Sequence, residues 1–274
     1  MKTLCYFNGR ICKVRDVRIS PYDIGILRGY GVFDVMRATK NKPFLLKEHF
    51  VRLKKYAAAV KLALPFTEKE FTKILDKLLK GNGFKESTIR TVMTGGESID
   101  SFLPGKPTCY ILIEDFQALP KAMFEKGVGV ATIEFSRHMP HVKITNYVEA
   151  IKNNSLKKRL GAFEITYIRD GKVLENSTSN IFIFKGNTLI TASEGVLLGT
   201  IRNLAVKLAK KKFKVEEREI TEKEFRNADE AFLTATNKDI LPVVKIDGKR
   251  VGNGKVGNNT KVMMELFRQY SNNY

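Results

Sequence analysis

Stretches in which apolar residues alternate every second position are interspersed, in no fixed order, with stretches in which they recur every three or four positions. A parallel βαβ array requires strict alternation of strands and helices, so this mixture points to an α+β fold. The chain opens on a hairpin, with "LCYF" and "ICKVRDV" flanking the turn pair Asn8-Gly9. "GVFDVMRAT" reads as a strand, followed by a turn at 40–43 and a returning "FLL". Over 47–62, Phe50, Leu53, Ala57 and Val60 share one helical face. Thr67 and Glu70 form a capping box for a second helix that ends at Gly81, and 88–94 and 108–115 are rich in strand formers.

The composition shifts over 116–127, "FQALPKAMFEKG", which reads as an interdomain linker between an N-terminal domain at 1–115 and a C-terminal domain at 128–274. The C-terminal part reads as a strand at 128–135, a helix at 147–160, a strand at 163–169 and a turn at Asp170-Gly171. The hairpin "NIFIFKGNTLITA" follows, then a helix from Gly199 through "TIRNLAVKLAKKK". A capping box at Thr221 and Glu224 starts a short helix, "EAFLTAT" is a strand, "KIDGKRV" a hairpin, and 257–270 a closing helix. With 274 residues, each part is long enough for its own core.

Several function classes recede on composition. No apolar run reaches bilayer length, and the N-terminus lacks an apolar segment of signal-peptide length, so a cytoplasmic location is expected. Three cysteines, no two of them in C-x-x-C spacing, and only three histidines argue against a zinc site. The formal charge of +19 would suit a nucleic-acid-binding protein, the reading from outside the enzyme class. The basic residues are scattered, however, and no aromatic-interleaved motif accompanies them, so a solvated surface with no nucleic-acid partner is expected.

"HVKITNYV" raises a different possibility at Lys143. Among 48 lysines and arginines a single lysine is ordinarily a surface charge. A lysine that bonds covalently to an aldehyde cofactor such as pyridoxal 5'-phosphate brings further demands: a carboxylate for the ring nitrogen, and backbone N–H groups at a helix N-terminus with an arginine for the phosphate. The chain has candidates for each. "ILRGYGVFDVMRA", "KEHFVRL", "VKITNYV", "VLENSTSNIFIF", "LLGTIR" and "LTATNKDILPV" occur in an order that resembles the class IV pyridoxal-phosphate aminotransferases, over nearly the whole chain. This group includes D-amino-acid transaminases, branched-chain transaminases and aminodeoxychorismate lyase.

The resemblance implies a fold-type IV enzyme: a small N-terminal α/β domain, a larger β-barrel-like C-terminal domain, the cofactor between them, and a homodimer in which the loop at 97–106 reaches the neighbour's site. It implies Lys143 as the covalent and proton-transferring lysine of "K-x-x-N-Y" and Glu175 of "E-x-x-x-S-N" as the acid facing the pyridine nitrogen, 175 − 143 = 32 positions apart. Tyr147 would meet the cofactor's phenolic oxygen, and on a helix its spacing from Lys143 would put both on one face. Arg52, Thr200, Ile201 and Thr236 would hold the phosphate, with Ser179 and Asn180 ordering the cofactor loop. The family more often reads Gly-Ile-Thr where this chain reads Gly-Thr-Ile at 199–201.

For the substrate, the resemblance implies Arg28, Tyr30, Arg90 and Thr236 as contacts, with the two arginines holding carboxylates. "TGGESIDSF" lacks the arginine-and-histidine carboxylate trap of bacillar D-amino-acid transaminases, while "TIR" at 88–90 keeps the arginine of the branched-chain "Y-I-R" but not its tyrosine. Together "RGYGVFD" and "TGG" resemble an atypical branch of D-amino-acid transaminases. The expected reaction exchanges the amino group of a small D-amino acid, such as D-glutamate or D-alanine, with a 2-oxo acid such as 2-oxoglutarate. Branched-chain L-amino-acid transamination is the second reading and the lyase the third.

Overall fold

The computed structural model describes residues 3–274 and divides them into two compact units. The first comprises 3–117 and Val142–Asn146; the second comprises Ala118–His141 and Tyr147–Tyr274.

The first unit contains β1 (Leu4–Phe7), β2 (Arg10–Lys13), α1 (Ile24–Arg28), β3 (Gly31–Thr39), β4 (Lys42–Pro43), α2 (Leu46–Ala59), α3 (Glu68–Asn82), β5 (Glu86–Thr94) and β6 (Thr108–Asp115). Its antiparallel sheet runs β2-β1-β6-β5-β3-β4. Val32, Asp34, Met36 and Ala38 of β3 are buried on the side that takes α2, while Phe33, Val35 and Arg37 are half-buried on the other. Directly paired residues share a sheet face, so Arg90, opposite Val35, and Val92, opposite Phe33, lie with that second set. Phe50, Leu53 and Ala57 of α2 and Val60, the residue that caps it, are all buried, as their spacing predicts.

The Thr67–Glu70 capping box forms, but its helix runs to Asn82 and stops at Gly83, whose left-handed conformation (φ 69°) ends it; Gly81 lies inside. The expected "FLL" strand is replaced by the two-residue β4, because Leu45 turns left-handed (φ 56°) into α2.

The second unit contains α4 (Lys121–Lys126), β7 (Val128–Glu134), α5 (Val148–Lys152), α6 (Asn154–Leu160), β8 (Glu164–Arg169), β9 (Lys172–Asn176), β10 (Asn180–Lys185), β11 (Thr188–Thr191), α7 (Thr200–Ala209), β12 (Lys214–Glu217), β13 (Ile220–Thr221), α8 (Glu222–Arg226), β14 (Glu230–Ala235), β15 (Asp239–Ile246), β16 (Lys249–Arg250) and α9 (Asn258–Asn272). Ten strands form one mixed sheet, ordered β12-β11-β10-β14-β15-β7-β8-β9-β13 with β16 on β15. β8 and β10 are buried along five of their six residues, which in β10 matches the apolar run Ile181–Phe184. Ile181, Ile183, Leu233, Leu241, Val243 and Phe225 anchor the core. The stretch at 116–127 carries α4, which packs on β15.

The helix expected at 147–160 is two short helices that meet at Asn153, and the one from Gly199 stops at Ala209. No helix among the described residues is long and apolar enough to cross a membrane.

Candidate active site

Lys143 is not on a helix. Ile144 bridges Val32 antiparallel, Phe33 N–H donates to Lys143 O at 2.9 Å, and Thr145 N–H donates to Gly31 O at 3.0 Å. Thr145 Oγ1 also donates to Gly29 O at 2.9 Å. This short extended segment holds Lys143 against the start of β3, with Nζ 4.6 Å from the centroid of the Phe33 ring. The helical face expected for Lys143 and Tyr147 therefore does not exist, since helix α5 begins only at Val148.

Also in the first unit, Arg52 is fixed rather than solvated. Its Nε donates to Asp34 Oδ2 at 2.8 Å, and its side chain is 13% exposed. Asp34 Oδ1 lies 2.6 Å from His49 Nδ1. Burial would push the Asp34 carboxyl up, but the charge of Arg52 and the bonds from Arg52 and His49 hold it below the usual carboxylate range. Burial pushes His49 down, favouring the neutral ring. Asp34 and His49 sit within quoted motifs, yet nothing in their spacing marked them as the support of Arg52.

The substrate candidates of this unit have partners of their own. Arg90 Nε donates to Glu114 Oε2 at 3.1 Å on the half-buried sheet face. Arg28 is exposed, donates to Leu27 O at 2.9 Å, and stacks with Cζ 5.1 Å from the Phe102 ring centroid. Tyr30 OH donates to Val60 O.

In the second unit, Glu175 lies on β9 with its side chain 5% exposed. Its Oε1 accepts from Arg137 Nε at 3.0 Å and its Oε2 from Leu197 N–H at 3.0 Å. The Leu197 carbonyl accepts from Asn180 Nδ2 at 2.7 Å and from Gly199 N–H at 2.9 Å. Gly199 is the N-cap of α7 and offers no capping side chain, so the helix presents first-turn amides at Thr200 and Ile201. A Cβ at Gly199 would lie 2.5 Å from Asn180 Oδ1, so the close approach needs glycine. One turn thus ties an oriented carboxylate to a helix N-terminus suited to an anion.

The loop between β9 and β10 is braced from below. Ser179 Oγ accepts from Asn176 Nδ2 at 2.9 Å. Glu164, buried on β8, accepts from Ser177 Oγ at 2.8 Å and from Thr178 N–H at 3.1 Å, and pairs with the buried Lys238 Nζ at 2.7 Å. Lys238 follows half-buried Thr236 by two positions, so the pair links the β9–β10 loop to the turn after β14. Arg137, Glu164 and Lys238 were invisible in the sequence, where each looks like one of many surface charges. Among the described residues no cluster of metal-ligating side chains occurs.

The second unit thus carries an oriented carboxylate and a helix N-terminus without a side-chain cap, and the first an ordered arginine and a lysine held against an aromatic ring; these are the kinds of group that pyridoxal phosphate requires. Comparison with known proteins agrees. The sequence profile of amino-transferase class IV matches residues 31–246, and the chain belongs to this family, whose cofactor is pyridoxal 5'-phosphate. A Methanocaldococcus jannaschii protein provisionally named a branched-chain-amino-acid aminotransferase is 32% identical over 96% of this chain and 94% of its own. The D-alanine aminotransferase of Bacillus licheniformis is 30% identical over 95% of this chain and 94% of its own. The fold is that of the fold-type IV aminotransferases: the crystal structure of the branched-chain amino acid aminotransferase of Escherichia coli superposes with a TM-score of 0.91, at 23% identity, over 98% of this chain and 94% of that one.

Proposed function

We propose that this aminotransferase moves the amino group between a small α-amino acid and a 2-oxo acid such as 2-oxoglutarate, with D-amino acids of the D-glutamate and D-alanine type as donors. The observation that carries the cofactor assignment is the turn at Leu197, which joins the Glu175 carboxylate to the N-terminus of α7. When bound, pyridoxal phosphate supplies an electrophilic carbon for the amino group and a ring that spreads the charge developing at the substrate's α-carbon.

Lys143 Nζ would hold the cofactor covalently and, as a free amine, would take and return the proton at the substrate's α-carbon. Glu175 would accept from the ring N–H and favour its protonated form, and Tyr147 would donate toward the phenolic oxygen. Arg52, the Thr200 and Ile201 amides and Thr236 hold the phosphate, while Ser179 and Asn180 keep their loop in shape.

On the substrate side, Arg90, paired with Glu114, shares its sheet face with Phe33, Val35 and Val92, and its remaining guanidinium donors suit the second carboxylate of a dicarboxylic substrate. Arg28 and Tyr30 complete the substrate contacts. The similarity to D-alanine aminotransferases supports the handedness. The second reading, a branched-chain L-amino acid, is favoured by the Methanocaldococcus jannaschii relative and by the aliphatic surroundings of Arg90. We also propose a homodimer. Ile99, Phe102 and Leu103 of the 97–106 loop, with Tyr22 and Ile26, form an exposed apolar surface that a second copy would cover.

The test is the half-reaction followed by visible absorption, with D-glutamate, D-alanine, L-leucine and L-glutamate added singly to the holoprotein. Loss of the band with the D-amino acids is expected. Loss with L-leucine but not D-glutamate moves the assignment to the branched-chain reading, and no change with any of the four refutes amino-group transfer to these substrates.

A further inference from the structure

One guanidinium touches two of the groups expected around the cofactor ring. Arg137 donates from Nε to Glu175 Oε1 at 3.0 Å, and its Cζ lies 4.7 Å from the centroid of the Tyr147 ring. It also donates to Ser177 O and lies 5.4 Å from the Tyr167 ring centroid. The pair is nearly sealed from water, with side chains 13% and 5% exposed. A planar fork fixed at four points cannot swing without disturbing all of them, and arginine alone combines that geometry with a permanent charge.

We propose that Arg137 is a positioning residue of the cofactor site: it aims the Glu175 carboxylate, backs the Tyr147 ring, and through its charge sets the pH at which the bound cofactor changes protonation state. The inference rests on the reading that Glu175 faces the ring nitrogen.

The sign follows from electrostatics. A fixed cation disfavours a second cation nearby, and an ion-paired carboxylate attracts a cation less than a bare one does. Both effects of Arg137 lower the pH at which a cationic form of the cofactor gives up its proton. Removing the guanidinium therefore raises that midpoint. The other groups packed against Arg137 are the phenols of Tyr147 and Tyr167. Burial pushes Tyr167 up to about 12, so it stays neutral throughout the range of interest. Glu164, which also acts on Tyr167, is paired with Lys238 and stays a carboxylate down to acidic pH.

The experiment is a spectrophotometric pH titration of the visible band in the holoproteins of wild type, R137K, R137Q, E175Q and R137Q/E175Q, with bound cofactor quantified after denaturation and thermal unfolding recorded alongside. K143A, expected to lack the band, ties the signal to the cofactor held at Lys143. In R137Q the midpoint is expected to rise by about one unit relative to wild type, while R137K, which keeps the charge, stays within about 0.3 units. Removing a buried partner destabilises the fold, so R137Q alone is not sufficient. The comparison of R137Q/E175Q with E175Q removes the same charge without stranding a carboxylate, and there too the midpoint is expected to rise.

A fall in unfolding temperature with an unmoved midpoint in R137Q, or equal midpoints in E175Q and R137Q/E175Q, overturns the proposal and leaves Arg137 a structural ion-pair partner. Wild-type protein that takes up no pyridoxal phosphate overturns the cofactor reading, and this inference with it. Wild-type uptake with unmoved midpoints overturns the role of Arg137 alone.

Discussion

Replacing Lys238 by methionine isolates the energetics of the brace beneath the candidate cofactor loop. Lys238 Nζ and Glu164 Oε1 are 2.7 Å apart, with side chains 6% and 4% exposed. At an effective dielectric constant near 20 their gross attraction is about 6 kcal/mol, most of which offsets the cost of taking both charges out of water. Methionine fills much of the lysine's volume but leaves the carboxylate buried without its cation, a loss of about 3–5 kcal/mol in comparable pairs. Glu164 keeps its bonds from Ser177 Oγ, Thr178 N–H and Thr178 Oγ1, so the low end applies, about 3 kcal/mol. For a chain of this size that is a fall of about 6–12 °C in Tm.

The pH dependence provides a sharper signature. Burial alone would raise the Glu164 carboxyl, but the charge and bond of Lys238, with the bonds from Thr178 and Ser177, hold it below its usual 4.5. A depressed carboxyl contributes stability that is present above 4.5 and is lost as pH falls through the folded-state value. In K238M the same carboxyl loses the charge that does most to hold it down and is depressed less, so the gap between the two proteins shrinks on acidification. The deficit of K238M should be full at about pH 7 and narrow steadily below about pH 5. K238M/E164Q, with no stranded charge, should recover most of the loss and show no such slope. Chemical denaturation of the three proteins over that pH range measures all of this. A deficit below about 1 kcal/mol, or one independent of pH, would refute the claim that the pair is a buried, charged brace.

Two further predictions concern the phosphate ligands. In G199A the new Cβ meets Asn180 Oδ1, so the Leu197 turn or the start of α7 must move; the dissociation constant for pyridoxal phosphate, measured by equilibrium dialysis, should rise about tenfold, near 1.4 kcal/mol. D34N removes the negative charge that orders Arg52, so cofactor affinity should fall together with thermal stability; unchanged affinity would mean that Arg52 takes its position without Asp34.

Much of this architecture could be read from local pattern. The Asn8-Gly9 hairpin, the face of Phe50, Leu53, Ala57 and Val60, and the capping boxes at Thr67 and Thr221 are set by neighbours within a few positions. The charged strand β12, "KVEE", escaped notice because an edge strand need not alternate apolar and polar residues. β9 carries Glu175 and Asn176 at buried positions, where polarity imitates a loop. The extended conformation of Lys143–Thr145 arises from pairing with β3, over a hundred positions away, and no local propensity reports it. The supporting charges failed for the same reason. Glu164 and Lys238 are 238 − 164 = 74 positions apart, Arg137 and Glu175 are 38 apart, and a charge buried by a distant partner looks in sequence like a solvated one. Lys143 and Glu175 stood out as candidates through an ordered set of motifs, whereas the residues that hold their neighbours in place emerge only from the fold.

The most direct test of the account is to reduce the holoprotein with sodium borohydride, digest it and map the pyridoxyl group by mass spectrometry. The tag is predicted on Lys143, with none on Lys238, the buried lysine committed to Glu164. A tag on Lys238 or on any other lysine, or no tag on a protein that has taken up the cofactor, would contradict it.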